Sequence, residues 1–185
     1  MKTLIKNGLV VDPANLVQTH LNLLLEDGKI VAVTEEEPEA DRVIDAAGKV
    51  VAPGFIDIHM HEDPVKDDKI QFCIFDAMLR MGVTTAVGGN CGINVYDPVK
   101  YLDLLERDGA PVNVMMFAGH QYYREAAGAL DKYSPVTEEQ RKTMKKGLEE
   151  ALEAGCVGIS YGLRYVPGTG REEFLDTASC CQKEH

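Results

Sequence analysis

Two histidines separated by a single residue offer the first chemistry in this sequence. His59 and His61 follow a short apolar segment, and alternate residues of an extended strand point to the same side. Two imidazoles on one face at a strand end can hold a divalent cation. Asp57, Glu62 and Asp63 lie beside them, so carboxylates are available to orient the rings or to ligate. A surface histidine pair in a loop is the alternative interpretation.

A cysteine in a glycine-rich segment is the next candidate ligand. Cys91 lies in the sequence GGNCG at positions 88–92, where glycines allow close backbone approach and leave the sulfur accessible. A thiol beside a divalent metal ionises and can ligate or bridge metal ions. A buried cysteine without a metal is the alternative.

An alternation of strands and helices after residue 53 positions these side chains. We predict strands at residues 55–59, 83–87, 112–117 and 156–161, and helices at 67–81, 97–107, 137–154 and 171–183. This order is typical of parallel βα units, and four such units form half of an eight-stranded barrel or a small doubly wound sheet. The candidate ligands follow the ends of strands, which is where βα barrels place their chemistry.

The first part of the chain has a different pattern. Short apolar runs joined by tight turns, such as Asp27-Gly28, predict a small antiparallel unit with a hairpin at that dipeptide. The sequence therefore predicts two domains, residues 1–52 and residues 53–185.

The segment at positions 51–61, VAPGFIDIHMH, resembles the sequence that opens the barrel of the amidohydrolase superfamily. This resemblance implies an α/β fold, the first half of a (β/α)8 TIM-type barrel preceded by strands of a small β-sandwich. It also implies that His59 and His61 are metal ligands.

Three further segments resemble the D-aminoacylase, or N-acyl-D-amino-acid deacylase, branch of that superfamily. They are GNCG at 89–92, AGHQYYR at 118–124 and the segment 154–168. The resemblance implies that Cys91 is a metal ligand and that His120 and Tyr165 bind substrate. A histidine satisfied by backbone groups and a packing tyrosine are the alternatives. Gln121 replaces a usual glycine, and Arg164 a usual aliphatic residue.

The resemblance implies a metal-dependent hydrolase of carbon–nitrogen bonds in linear amides, with N-acyl-D-amino acids as substrates and one or two Zn²⁺ ions. The acid–base Asp of the superfamily follows the eighth strand, so we expect no catalytic residue in this chain and no activity from it alone. The fourth predicted strand has no lysine for a carbamylated bridge, which disfavours dihydroorotase- and hydantoinase-like enzymes.

Two alternatives remain from the sequence. One is an amidohydrolase of another branch, dihydroorotase-like or dipeptidase-like, and the other is a non-catalytic metal-binding fragment. An isolated half-barrel would expose strand edges and apolar helix faces, so we expect self-association.

The composition excludes some partners. A formal net charge of -11 disfavours nucleic acid and anionic membranes. Apolar runs are too short for a membrane span or a signal peptide. The five cysteines, including adjacent Cys180 and Cys181, have no disulfide-like spacing, so we expect reduced thiols in the cytoplasm.

Overall fold

The computed structural model describes residues 1–131 and 133–162. The chain divides into two compact units, Met1–Gly54 and Phe55–His185. In the described ranges, no helix combines the length and the apolar character that crossing a membrane requires.

The first unit is a five-stranded sheet. Its strands are β1 (Lys2–Asp12), β2 (Val17–Glu26), β3 (Lys29–Thr34), β4 (Arg42–Asp45) and β5 (Val50–Val51). The Asp27-Gly28 hairpin is confirmed between β2 and β3, and both residues have positive φ, as a tight hairpin turn requires.

The prediction that this unit is antiparallel is wrong for its last two strands. Both β4 and β5 pair with β1 in parallel. The chain after β3 crosses to the far edge of β1 before it pairs again, so β4 runs in the direction of β1. Asn22 holds the start of this crossing, because its side-chain amide donates to the carbonyl oxygens of Glu35 and Glu36.

The second unit contains a four-stranded parallel sheet, a small hairpin and helices. The sheet strands are β6 (Phe55–Asp57), β9 (Val83–Gly88), β10 (Asn113–Gly119) and β11 (Gly158–Ser160), the hairpin is β7 (Val65–Lys66) with β8 (Lys69–Ile70), and the helices are α1 (Ile74–Arg80), α2 (Pro98–Asp108), α3 (His120–Ala126) and α4 (Glu138–Glu153). The sheet order is β11-β10-β9-β6. Neighbouring strands thus follow chain order, as in a βα barrel, whereas a doubly wound sheet reverses its order.

Two helices differ from the sequence prediction. Residues 67–73 do not extend α1, because Asp67 and Asp68 have left-handed φ angles and form the turn between β7 and β8. The seven-residue helix α3 was not predicted at all. The helix predicted at 171–183 lies outside the described residues.

Helix α4 begins as predicted. The Thr137 hydroxyl accepts from the Gln140 N–H, and the Gln140 side chain accepts from the Thr137 N–H, which completes a capping box. Met144, Leu148 and Ala151 are fully buried at helical spacing on one face of α4. This face packs into the apolar core beside the sheet.

Candidate metal centre

Three side chains from two strand ends meet in the second unit. His59, His61 and Cys91 each offer one ligand atom, and these atoms lie within 4.8 Å of one another. His59 Nε2 is 3.3 Å from Cys91 Sγ. The two imidazole rings are 6.4 Å apart between centroids and nearly perpendicular.

The two histidines lie just beyond β6, which is shorter than predicted and ends at Asp57. The Asp57 carboxylate accepts a 3.0 Å hydrogen bond from the His59 N–H, and this bond turns the chain out of the strand. The N–H of Met60 still donates to the carbonyl of Val87. Past the strand end, Met60 is buried, whereas His59 and His61 on either side of it are both exposed.

Cys91 lies in a tight loop directly after β9. Gly89, Cys91 and Gly92 all have left-handed φ angles, between 61° and 77°. A Cβ at Gly89 would stand 2.1 Å from the carbonyl oxygen of Phe117, so only glycine fits there. The glycines of the GGNCG sequence thus let the loop turn against the end of β10.

Ser160, at the end of β11, holds the same loop from the opposite side. Its hydroxyl accepts a 2.9 Å hydrogen bond from the Gly92 N–H and donates to the Gly89 carbonyl. The backbone on both sides of Cys91 is therefore fixed by one side chain from β11, which is separated from β9 by β10 in the sheet.

The carboxylates next to the histidines have other partners. Asp63 is fully buried, and its two oxygens accept from the N–H groups of Cys73, Ile74 and Phe75 at the start of α1. The Cys73 thiol also donates to Asp63. Burial raises the pKa of the Asp63 carboxyl, but the thiol and the three N–H groups outweigh burial and hold that pKa below its ordinary value.

Glu62 also has a partner of its own. Its Oε1 accepts a 2.7 Å hydrogen bond from the side-chain amide of Asn94. Asn94 in turn donates to the Phe117 carbonyl and accepts from the Gly119 N–H. Glu62 thus ties the segment after His61 to the end of β10.

The two predicted substrate-binding residues, His120 and Tyr165, do not contribute to this group of three donors in the described part of the chain. His120 is buried at the first position of α3, with its ring 5.2 Å from the ring of Tyr161. It does not belong to the group of three ligand atoms found in the described part of the chain. Tyr165 lies outside the described residues.

The chemical types of the three donors, and one of the separations between them, fit a zinc ion. Ligand bonds of about 2.1 Å to nitrogen and about 2.3 Å to sulfur at tetrahedral angles put two ligand atoms about 3.6 Å apart. The 3.3 Å separation of His59 Nε2 and Cys91 Sγ is close to that spacing. Imidazole and thiolate donors are also the ligand types that zinc prefers.

The curated proteins most similar to this chain include two enzymes named as deacylases of D-amino-acid derivatives. The N-acyl-D-glutamate deacylase of Alcaligenes xylosoxydans xylosoxydans is 32% identical over 91% of this chain and 38% of its own length. The D-aminoacylase of the same organism is 31% identical over 89% of this chain and 38% of its own length. The chain thus spans about two fifths of the length of these relatives.

Solved structures of the same enzymes share the fold. A crystal structure of D-aminoacylase matches 96% of this chain with a TM-score of 0.84 and 29% identity, over 42% of its own chain. The N-acyl-D-glutamate deacylase from Bordetella bronchiseptica, complexed with zinc and a phosphonate inhibitor, matches 96% of this chain and 42% of its own with a TM-score of 0.82 and 30% identity. The predicted fold, the first half of a TIM-type barrel preceded by β-strands, is thereby confirmed. Residues 42–173 match the amidohydrolase family model, and the chain belongs to that family.

Proposed function

We propose that the protein containing this chain is a zinc-dependent N-acyl-D-amino-acid deacylase whose metal ligands include His59, His61 and Cys91. The observation that carries the proposal is the convergence of these three donors within 4.8 Å at the ends of β6 and β9. The deacylase names of the relatives support the substrate class.

Two features favour linear over cyclic amides. Cys91 supplies a sulfur donor beside the histidines, and the resemblance to the deacylase branch implies that this sulfur binds metal. Strand β11, Gly158–Ser160, contains no lysine that could be carbamylated as a bridging ligand. These features weigh against the dihydroorotase-like alternative.

The chain's own residues divide the work at the site. A divalent cation supplies Lewis-acid polarisation of an acyl carbonyl and lowers the pKa of a water molecule. His59, His61 and Cys91 would hold that cation. It would be either the single metal ion of the site or one of a pair. Ser160 and the glycines fix the Cys91 backbone, and Asp57 fixes the backbone of His59.

The groups that complete the reaction are proposed to lie outside residues 1–185. We assign no proton-transferring residue in this chain, and we place the acid–base Asp in a later part of the protein. His120 and Tyr165 are proposed to contact substrate. We further propose that residues 1–52 belong to a small β-sandwich domain and residues 53–185 to the first four βα units of the barrel.

The test is an amidase assay on the intact natural protein. N-acetyl-D-amino acids, their L-enantiomers, dihydroorotate and a hydantoin are offered to the zinc-loaded protein and to protein stripped with a chelator. We expect zinc-dependent release of the free D-amino acid. Hydrolysis of the cyclic amides instead would overturn the branch assignment, and zinc binding without any turnover would favour a non-catalytic metal-binding protein.

Exposed apolar residues in and just beyond β6 lead to a separate proposal about assembly. Phe55, Ile56 and Ile58 are each about two-thirds exposed, at 67%, 65% and 71%. Large apolar side chains exposed on a strand at the end of the sheet order favour association in water. We propose that the 185-residue chain produced alone self-associates, which light scattering at increasing concentration would detect; a monomer at every concentration would refute this.

A further inference from the structure

The side-chain amide of Asn90 lies under the candidate metal centre. Asn90 is buried, and its Nδ2 is 2.7 Å from the carbonyl oxygen of Val87. The same nitrogen donates to the carbonyl oxygens of Ile58 and Met60, each at 3.4 Å. One amide therefore contacts three carbonyl groups from two strand ends.

These carbonyls belong to the residues that carry the ligands. Ile58 and Met60 flank His59 in sequence, and Met60 also precedes His61. The strand register between β6 and β9 ends at the pair Asp57 and Ala86, so these carbonyls lie beyond the regular pairing. The Met60 carbonyl is buried past the strand end, where it needs another donor, and Asn90 supplies it. The bond from Asn90 to the carbonyl of the exposed Ile58 is only part-buried.

Asn90 is also the residue immediately before Cys91. Its backbone belongs to the loop that presents the thiol, while its side chain holds the segment that presents both imidazoles. Because the side chain and the backbone of one residue link the two segments, movement of one relative to the other must break the Asn90 hydrogen bonds.

We propose that Asn90 is a positioning residue that sets the separation between Cys91 and the two histidines, and so determines the metal affinity of the site. The inference rests on the proposed metal site. Asn90 is not a metal ligand. Its amide preorganises the three donors, so that their separation already suits a cation before one binds. Supporting groups of this kind change metal affinity by about 10- to 100-fold when removed.

The chain offers a matched control for Asn90. The side-chain amide of Asn113 donates a 2.9 Å hydrogen bond to the carbonyl of Thr84. Asn113 begins β10 and is exposed, so the same chemical group serves at the opposite end of the sheet, away from the ligands. Asn113→Ala therefore removes an amide–carbonyl bond without touching the metal centre.

The experiment compares Asn90→Ala, Asn113→Ala and Cys91→Ala in the intact natural protein. Zn²⁺ affinity is measured by chelator competition, and the thiolate-to-metal charge-transfer band is recorded with Co²⁺. We expect Asn90→Ala to lose about 10- to 100-fold in Zn²⁺ affinity with a weakened band, and Asn113→Ala to match the parent. Parent-like affinity in folded Asn90→Ala, or an equal loss in Asn113→Ala, would overturn the inference.

The outcomes separate the two proposals. Zinc affinity unchanged in Cys91→Ala would refute Cys91 as a ligand and so the proposed three-donor site, and it would favour an amidohydrolase of another branch. Zinc affinity lost in Cys91→Ala but kept in Asn90→Ala would refute only the role of Asn90. Asn90→Ser keeps one donor and is expected to fall between parent and Asn90→Ala. Failure of both Asn90 variants to fold would also overturn the inference, since it requires loss of affinity in a folded protein.

Discussion

His59 Nε2 and Cys91 Sγ lie 3.3 Å apart, although 31 residues separate them in the chain. Parallel pairing of β6 with β9 brings their two strand ends to the same edge of the sheet. A short imidazole–sulfur contact of this kind is expected where both atoms share a cation. It leads to a direct test of the histidine.

Replacing His59 with alanine should remove a metal ligand and reduce Zn²⁺ affinity by about 100-fold or more, beyond the effect of a supporting residue. The matched control is His20→Ala, because His20 is exposed on β2 in the other unit. Metal content after dialysis against a weak chelator measures the effect. Equal zinc retention in the two variants would remove His59 from the site.

Asp63→Asn should destabilise the protein by about 2 kcal/mol, because a buried carboxylate that accepts from several N–H groups is replaced by an amide that presents its own N–H to them. Urea unfolding at neutral pH measures the change. The control is Asp76→Asn, an acidic residue inside α1 with no assigned capping role. A loss of similar size in the control would show that the effect comes from removing a negative charge near the start of α1 and not from the hydrogen bonds that Asp63 accepts.

Gly119→Ala should displace the Cys91 loop. A Cβ at this position would stand 2.7 Å from the backbone of Gly92, and backbone cannot move aside as a flexible side chain can. We expect a loss of about 1–3 kcal/mol in stability together with weaker Zn²⁺ binding.

Gly147→Ala provides the comparison for that variant. Its Cβ would stand 2.7 Å from the ring of Tyr123, between α3 and α4 and away from the ligands. Destabilisation is again expected, but zinc affinity should stay at the parent value. If both variants lose affinity equally, the loss reflects general unfolding and not the loop.

Cys156 gives a pH-dependent prediction. Burial first, and then the negative charges of Asp97 and Glu62, raise the pKa of its thiol from 9.0 to about 12. The unfolded chain therefore releases the proton at a lower pH than the folded chain, so this contribution to stability is complete below about pH 9 and is lost as pH rises towards 12.

The measurement is urea unfolding of the parent and Cys156→Ala at about pH 8 and about pH 10, where the parent should lose about 1 kcal/mol more than the variant. Other groups that titrate in this range are present in both proteins and cancel in the comparison. Equal losses would mean that the folded thiol ionises normally.

Local patterns in the sequence predicted what depends on near neighbours. The capping box of Thr137 and Gln140 fixed the start of α4, and Asp27-Gly28 marked its hairpin. The predicted strand ends also indicated that His59, His61 and Cys91 would lie near one another. The crossing that makes β4 parallel to β1 has no such local pattern.

Long-range contacts were not predictable in the same way. Asp63 accepts from backbone groups 10 to 12 residues later, and Asn90 donates to carbonyls up to 32 residues earlier. Neither bond has a periodic pattern, because each depends on which segments become neighbours after folding. The sequence signal for Asp63 was a carboxylate just after the predicted histidine ligands, and it predicted a ligand or an orienting group for the histidine rings. The structure instead shows Asp63 accepting from the N–H groups at the start of α1.

The left-handed backbone of Cys91 has a consequence for how this position would change over generations. Any residue with a Cβ, apart from asparagine and aspartate, is strained in that region by about 1 kcal/mol or more, whereas glycine is not. Cys91 thus occupies a backbone conformation that its residue type disfavours. In a lineage that no longer needs the metal, glycine and asparagine are the less strained occupants of position 91, and the residue found there would report whether selection for the metal persists.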